Sequence, residues 1–64
     1  MPVMPEKEIV SVEWHRHGHR IEVRYAQGDP DYLEGDELIV SRMAESEGLW
    51  SVPAPADTRR WVRP

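Results

Sequence analysis

The stretch EIVSVEWHRHGHRIEVRYA, residues 8–26, alternates apolar and polar side chains with a period of two and carries one glycine near its middle. Period two is the signature of half-buried strands, because successive side chains leave a strand on opposite faces. Val10, Val12 and Trp14 fall on one face before the glycine, and Ile21, Val23 and Tyr25 on one face after it. With His17 and Gly18 as the central residues of a tight turn, Trp14 meets Ile21, Val12 meets Val23 and Val10 meets Tyr25. Every apolar residue then faces another, and a slip by one residue would turn the whole set to the solvent. Glycine at the second central position suits a type I′ turn, which needs a positive φ there.

This hairpin must be the nucleus of something small. The chain has 64 residues and no cysteine, so it forms a single domain with neither a disulfide framework nor a thiolate zinc site to hold it. Cohesion has to come from large side chains, and Trp14, Trp50, Trp61, Tyr25 and Tyr32 are the aromatic supply. The opening MPVMPEKEIV has two prolines and no long apolar run; residues 1–8 are expected to be a flexible tail ahead of a β domain at 9–63. Without a leader or a membrane span, the expectation is a soluble, cytoplasmic protein with no membrane contact. Seven arginines against the single Lys7, with no Asn or Phe, are the mark of a GC-rich coding sequence.

Downstream of the hairpin, QGDPDYLEGDE is dense in Gly, Asp and Pro and cannot form a central strand, since Pro30 lacks a donor. It is expected to be a loop. ELIVSRM and LWSVP are strand-like runs joined by AESEG, with Leu38, Val40, Trp50 and Val52 on a common face and Ile39, Met43 and Leu49 on the other. PAPADT interrupts the chain, and RRWV supplies a last short strand. The sum is an all-β domain of five short strands, folded as a small SH3-like barrel or as two packed antiparallel hairpins.

The cadence GDELIV, EGLWSV, RRWV, between Gly35 and Val62, resembles the bacterial SH3-like (SH3b) module, whose later strands read as a Gly-Asp turn with an apolar strand, a Gly-Trp strand and a closing Gly-Trp-Val. The resemblance implies a small β-barrel.

Three histidines at every second position, His15, His17 and His19, suggest a metal site at first sight. The hairpin divides them between two strands and a turn, and Arg16 and Arg20 add positive charge where a cation would sit. No metal and no cofactor is expected. The acids Asp29, Asp31, Glu34, Asp36 and Glu37 lack calcium-loop spacing, with Leu33 at a position where an oxygen ligand would be needed. No nucleophile elbow, phosphate loop or spaced carboxylate pair is present, so an enzyme is not expected.

Charge is uneven along the chain. Residues 1–27 are balanced, 28–48 hold seven acids against Arg42, and 49–64 hold Arg59, Arg60 and Arg63 against Asp57, for a net charge of −4. The reading is a noncatalytic protein-binding module or regulator of phage or plasmid type. It would use the acidic loop and aromatic surface formed by Asp29, Asp31, Tyr32, Glu34, Asp36, Glu37, Trp50 and Trp61. Exposed strand edges make a homodimer a further expectation. The alternative is a nucleic-acid-binding regulator using Arg20, Arg24, Arg59, Arg60, Arg63 and Trp61, which the acidic balance disfavours.

Overall fold

The computed structural model describes residues 8–64; apart from Glu8, the expected flexible tail lies outside the described residues. The element order is β1 (Ile9–His15), β2 (Arg20–Tyr25), β3 (Asp31–Glu34), α1 (Glu37–Ser46), β4 (Trp50–Val52) and β5 (Thr58–Val62). The strands form one antiparallel sheet in the order β3-β2-β1-β5-β4. Five short antiparallel strands and a mostly β domain agree with the expectation. The sheet is open, with β3 and β4 as its edges, and a single short helix lies across one face.

The first hairpin holds the expected register at its centre, with Trp14 opposite Ile21 and Val12 opposite Val23. At its open end the pairing differs. Ile9, not Val10, lies opposite Tyr25, because the register shifts between Ile9 and Ser11. This bulge makes Val10 the extra residue and brings Ile9 and Tyr25 together against the core. The freed Val10 carbonyl accepts from the Arg63 amide at 2.9 Å.

The turn is centred on His17 and Gly18, and the His19 amide donates to the Arg16 carbonyl at 3.3 Å. It is not the type I′ turn expected. Positive φ falls on Gly18 (82°) and on His19 (48°), whereas His17 is not among the positive-φ residues. The left-handed step is displaced one residue toward β2.

Two segments differ from what their pattern predicts. ELIVSRM, expected as a strand, opens helix α1, and DYLE, expected inside a loop, is the edge strand β3. The helix is set by its ends. Asp36, in extended conformation, accepts the Ile39 amide at 3.0 Å through Oδ1, the bond an N-cap supplies. At the other end Gly48 takes φ 75°, its amide donates to the Glu45 carbonyl and the Leu49 amide to the Ala44 carbonyl, each at 3.0 Å. This is the Schellman arrangement, in which a left-handed glycine lets two terminal carbonyls be satisfied.

Two arginines clamp the helix to β5. Arg59 Nη1 donates to Glu37 Oε2 at 2.7 Å in its first turn, and Arg63 Nη1 donates to the Glu47 carbonyl at 3.2 Å at its end. Each cation meets negative charge, a carboxylate at one end and the helix C-terminus at the other.

Val40 and Ala44 enter the core with Val12, Trp14, Ile21, Val23, Leu49 and Trp61. Burial of an aliphatic side chain of this kind contributes roughly 1.5–3 kcal/mol, so this cluster holds the domain together. The grouping of Val40 with Trp50 and Val52 does not occur: Val40 is in the core, whereas Trp50 and Val52 sit on β4. The Trp14 indole Nε1 donates to the Gly35 carbonyl at 3.0 Å, so the buried ring leaves no orphaned donor. Among the described residues, no helix is long and apolar enough to cross a membrane.

Candidate functional site

The face of the sheet opposite α1 carries no covering layer among the described residues, and the pairing registers define what it displays. One row of cross-strand neighbours runs Tyr32, Glu22, Glu13, Arg60, Val52 from edge to edge. A second runs Glu34, Arg20, His15, Thr58, and a third runs Arg24, Ser11, Val62, Trp50. Glu13 and Glu22 are directly opposite, an arrangement that repels unless compensated. Compensation comes from Arg60 on Glu13 (Nε–Oε2 3.1 Å), Arg24 on Glu22 (Nε–Oε2 2.6 Å) and His15, whose Nε2 is 3.3 Å from Glu13.

At the hairpin end this face dips into a depression of about 350 Å³, lined by His15, His17, Arg20, Ile21, Glu22, Tyr32, Asp57 and Thr58. His17 of the turn and Asp57 with Thr58 at the start of β5 contribute to its lining. His17 Nε2 lies 3.5 Å from Asp57 Oδ2, and the Arg16 amide donates to the Asp57 carbonyl at 2.9 Å. The third histidine is elsewhere: the His19 ring packs edge-on to Trp14 at 6.3 Å between centroids, with the Arg16 guanidinium also over that indole. Among the described residues, no three His, Asp or Glu side chains converge in a way that could hold a metal ion.

The second surface is the edge of β3 with the start of α1. Tyr32 (61% exposed) projects on the uncovered face, while Leu33 lies opposite Ile21 and is half-exposed at 49%. Leu38 and Ile39 in the first turn of α1 are 60% and 58% exposed. Gly35 joins these elements: its amide donates to the His19 carbonyl at 2.8 Å, and it lies between Ile21 and Ile39. Two exposed apolar or aromatic side chains, Tyr32 and Leu33, thus lie on the edge strand within the acidic segment 29–37, and two more, Leu38 and Ile39, follow it in α1.

The acids of that segment have different tasks. Asp31 Oδ2 accepts from the Tyr25 hydroxyl at 2.6 Å. That bond, then burial and the Asp31 charge, raises the tyrosine pKa above its ordinary 10.0. Asp36 caps α1 and Glu37 pairs with Arg59, so these two serve the fold. Asp29 and Glu34 are exposed.

The aromatic residues expected to form a common partner surface with this acidic loop are dispersed. Trp61 is 2% exposed, in the core beneath α1, with Arg59 stacked at 4.9 Å from its ring centroid. It offers no surface to a protein or a base, because β5 turns that side of residue 61 to the helix. Trp50 is exposed on the opposite edge from Tyr32.

Most of the arginines of the alternative reading are committed. Arg24 holds Glu22, Arg59 holds Glu37, Arg60 holds Glu13, and Arg63 binds the Ile9 carbonyl and approaches Glu8 Oε1 at 3.2 Å. Arg20 alone of that group has no carboxylate within ion-pair distance among the described residues, although Glu34 is its cross-strand neighbour.

Leu33, Leu38 and Ile39 were not among the residues singled out from the sequence. The only signal for them was the Gly35-Asp36 pair, which reads as a helix start and would have moved Leu38 and Ile39 out of a strand. Compared with protein-family models, curated proteins and solved structures, the chain matches none.

Proposed function

We propose that the protein is a noncatalytic protein-binding module or regulator that receives an extended, basic segment of a partner along the outer edge of β3. The observation that carries this reading is the company that edge keeps: Tyr32 and Leu33 exposed on a strand with one unpaired edge in the acidic stretch 29–37, followed directly by the exposed Leu38 and Ile39 of α1. A strand edge offers main-chain hydrogen bonds to an added strand, and alternate side chains supply specificity. Here they differ by face, with Tyr32 on one and Leu33 with the first turn of α1 on the other.

Charge selects the occupant. Asp29, Asp31 and Glu34 on or next to β3 repel a second copy of the same edge, which is how edge strands avoid pairing with themselves. A segment carrying Lys or Arg among apolar residues meets the opposite potential. The reading therefore favours a heterologous basic partner over a homodimer through β3. Nucleic acid is disfavoured by the arginine pairings and by the burial of Trp61.

The test is an NMR titration with two ten-residue peptides, one alternating Lys with Val and one alternating Glu with Val. The Lys peptide is expected to shift the amides of residues 31–34 and 38–39 and to form interstrand contacts with β3. Leu38→Ser should weaken that binding. Shifts confined to β4, or equal binding of both peptides, would refute the reading, as would tighter binding of a single-stranded oligonucleotide with steep salt dependence.

A further inference from the structure

Independently of the β3 edge, we propose that the depression at the end of the first hairpin is a binding pocket for a small oxyanion, a carboxylate or phosphate group, anchored by Arg20. The argument starts from charge accounting on the uncovered face. Glu13 and Glu22 are each answered there by an arginine, Arg60 at 3.1 Å and Arg24 at 2.6 Å. Arg20 stands in the same layer, lines the depression and makes no ion pair among the described residues. An uncommitted guanidinium presents a planar fork of donors matched to two oxygens of one anion.

The turn is shaped to place that side chain. A Cβ on Gly18 would come within 3.3 Å of both Arg20 Cγ and Cδ, so the glycine leaves the room in which the arginine stem lies. Gly18 therefore serves twice, through its φ of 82° and through its missing side chain. His15 on β1, His17 in the turn, Thr58 on β5 and Tyr32 on β3 line the same depression and carry side chains able to donate.

Two carboxylates also line the pocket and limit what it accepts. Glu22 is held by Arg24, and Asp57 lies 3.5 Å from His17. Glu34 is the cross-strand neighbour of Arg20 on β3. Glu22 is already paired with Arg24, so the one guanidinium that lines the depression has no ion pair among the described residues. An anion with two oxygens would supply the partner that the Arg20 guanidinium lacks.

The experiment is a pair of NMR titrations at constant ionic strength, one with inorganic phosphate and one with acetate, each read against chloride. Saturable shifts are expected at His15, Arg20, Tyr32 and Thr58, with a dissociation constant in the millimolar range appropriate to a single small anion. Saturation by phosphate alone assigns a phosphate group as the ligand, and comparable saturation by acetate assigns a carboxylate. Arg20→Gln should weaken binding by about tenfold or more, the loss of one charge-assisted fork. Arg42→Gln on the exposed side of α1 should leave it unchanged. His17→Gln, in an exposed turn, supplies a second variant that keeps the fold and should weaken binding by a smaller factor. Absence of saturation by both anions, undiminished binding in Arg20→Gln, or an equal loss in Arg42→Gln would overturn the proposal. If Arg20→Gln does not fold, unchanged affinity in His17→Gln would overturn it.

Discussion

Replacing Gly35 by alanine should destabilise the domain through a single atomic collision, and a second substitution should relieve it. The residue is not in the positive-φ set, so its backbone accepts any side chain without strain. The added Cβ, however, would lie 2.9 Å from Ile21 Cδ1 and 3.9 Å from Ile39 Cγ2. Gly35 cannot back away, because its carbonyl receives the Trp14 indole at 3.0 Å and its amide binds the His19 carbonyl at 2.8 Å. Ile21 is 3% exposed and cannot swing into solvent. Overpacking of a fixed core costs about 1–3 kcal/mol, and in a domain of this size each kcal/mol lowers Tm by roughly 4–8 °C. Ile21→Val removes the colliding methyl at a cost of about 0.5–1.5 kcal/mol by itself. In the double variant the clash is gone, so the combined loss should fall short of the sum by about 0.5 kcal/mol or more, the scale of coupling between residues in contact. Urea unfolding followed by tryptophan fluorescence measures all four corners of this cycle. Strict additivity would show that the steric argument is wrong, and so would Gly35→Ala at wild-type stability.

Three further outcomes follow from local geometry. Gly18→Val places a β-branched residue at φ 82° against the Arg20 stem and should cost about 1–2 kcal/mol or more, whereas His17→Asn should stay within about 0.5 kcal/mol; a melting curve for each decides. Asp36→Ala deletes the cap on the Ile39 amide and should cost about 0.5–2 kcal/mol, visible as lower helical circular dichroism and a lower Tm. The Tyr25 hydroxyl donates to Asp31, which holds its folded pKa above the unfolded value of 10.0. The proton is thus bound more tightly in the folded state, and the stabilisation is complete below pH 10 and fades as pH rises through the folded pKa. Tyr25→Phe should abolish that alkaline loss, and an unaltered pH profile above pH 10 would contradict the assignment.

The centre of the hairpin was legible because its apolar pattern admits one register. Trp14, Val12, Ile21 and Val23 have one arrangement in which all are buried, and that arrangement is the one adopted. The helix was not legible for a physical reason. Leu38 and Ile39, the residues that make ELIV look like a strand, are both exposed, so the apolar run hides the short stripe of Val40, Met43 and Ala44 that faces the core. Its caps, Asp36 and Gly48, were present in the sequence but are too common to decide the matter alone. Similarly, Asp31–Glu34 has the composition of a loop and becomes a strand only because β2 offers it an unpaired edge.

The candidate sites divide in the same way. The acidic segment and Tyr32 were visible as sequence, but the exposed apolar residues beside them came to light only with α1 in place. The three alternating histidines kept their promise of proximity in part: His15 and His17 line one depression, while His19 turns to Trp14 on the far side.

By itself, the sequence determined the central pairing of β1 and β2, since a period of two around a glycine leaves one register that buries Val12, Trp14, Ile21 and Val23 together, while the bulge at Val10 was not written in that pattern. Tertiary structure alone decided that the sheet would stay open, that a capped helix rather than a fourth hairpin strand would cover its apolar face, and that Trp61 would be core while Trp50 would not. Such choices depend on which surface a segment must cover, and that surface exists only once the other strands have paired.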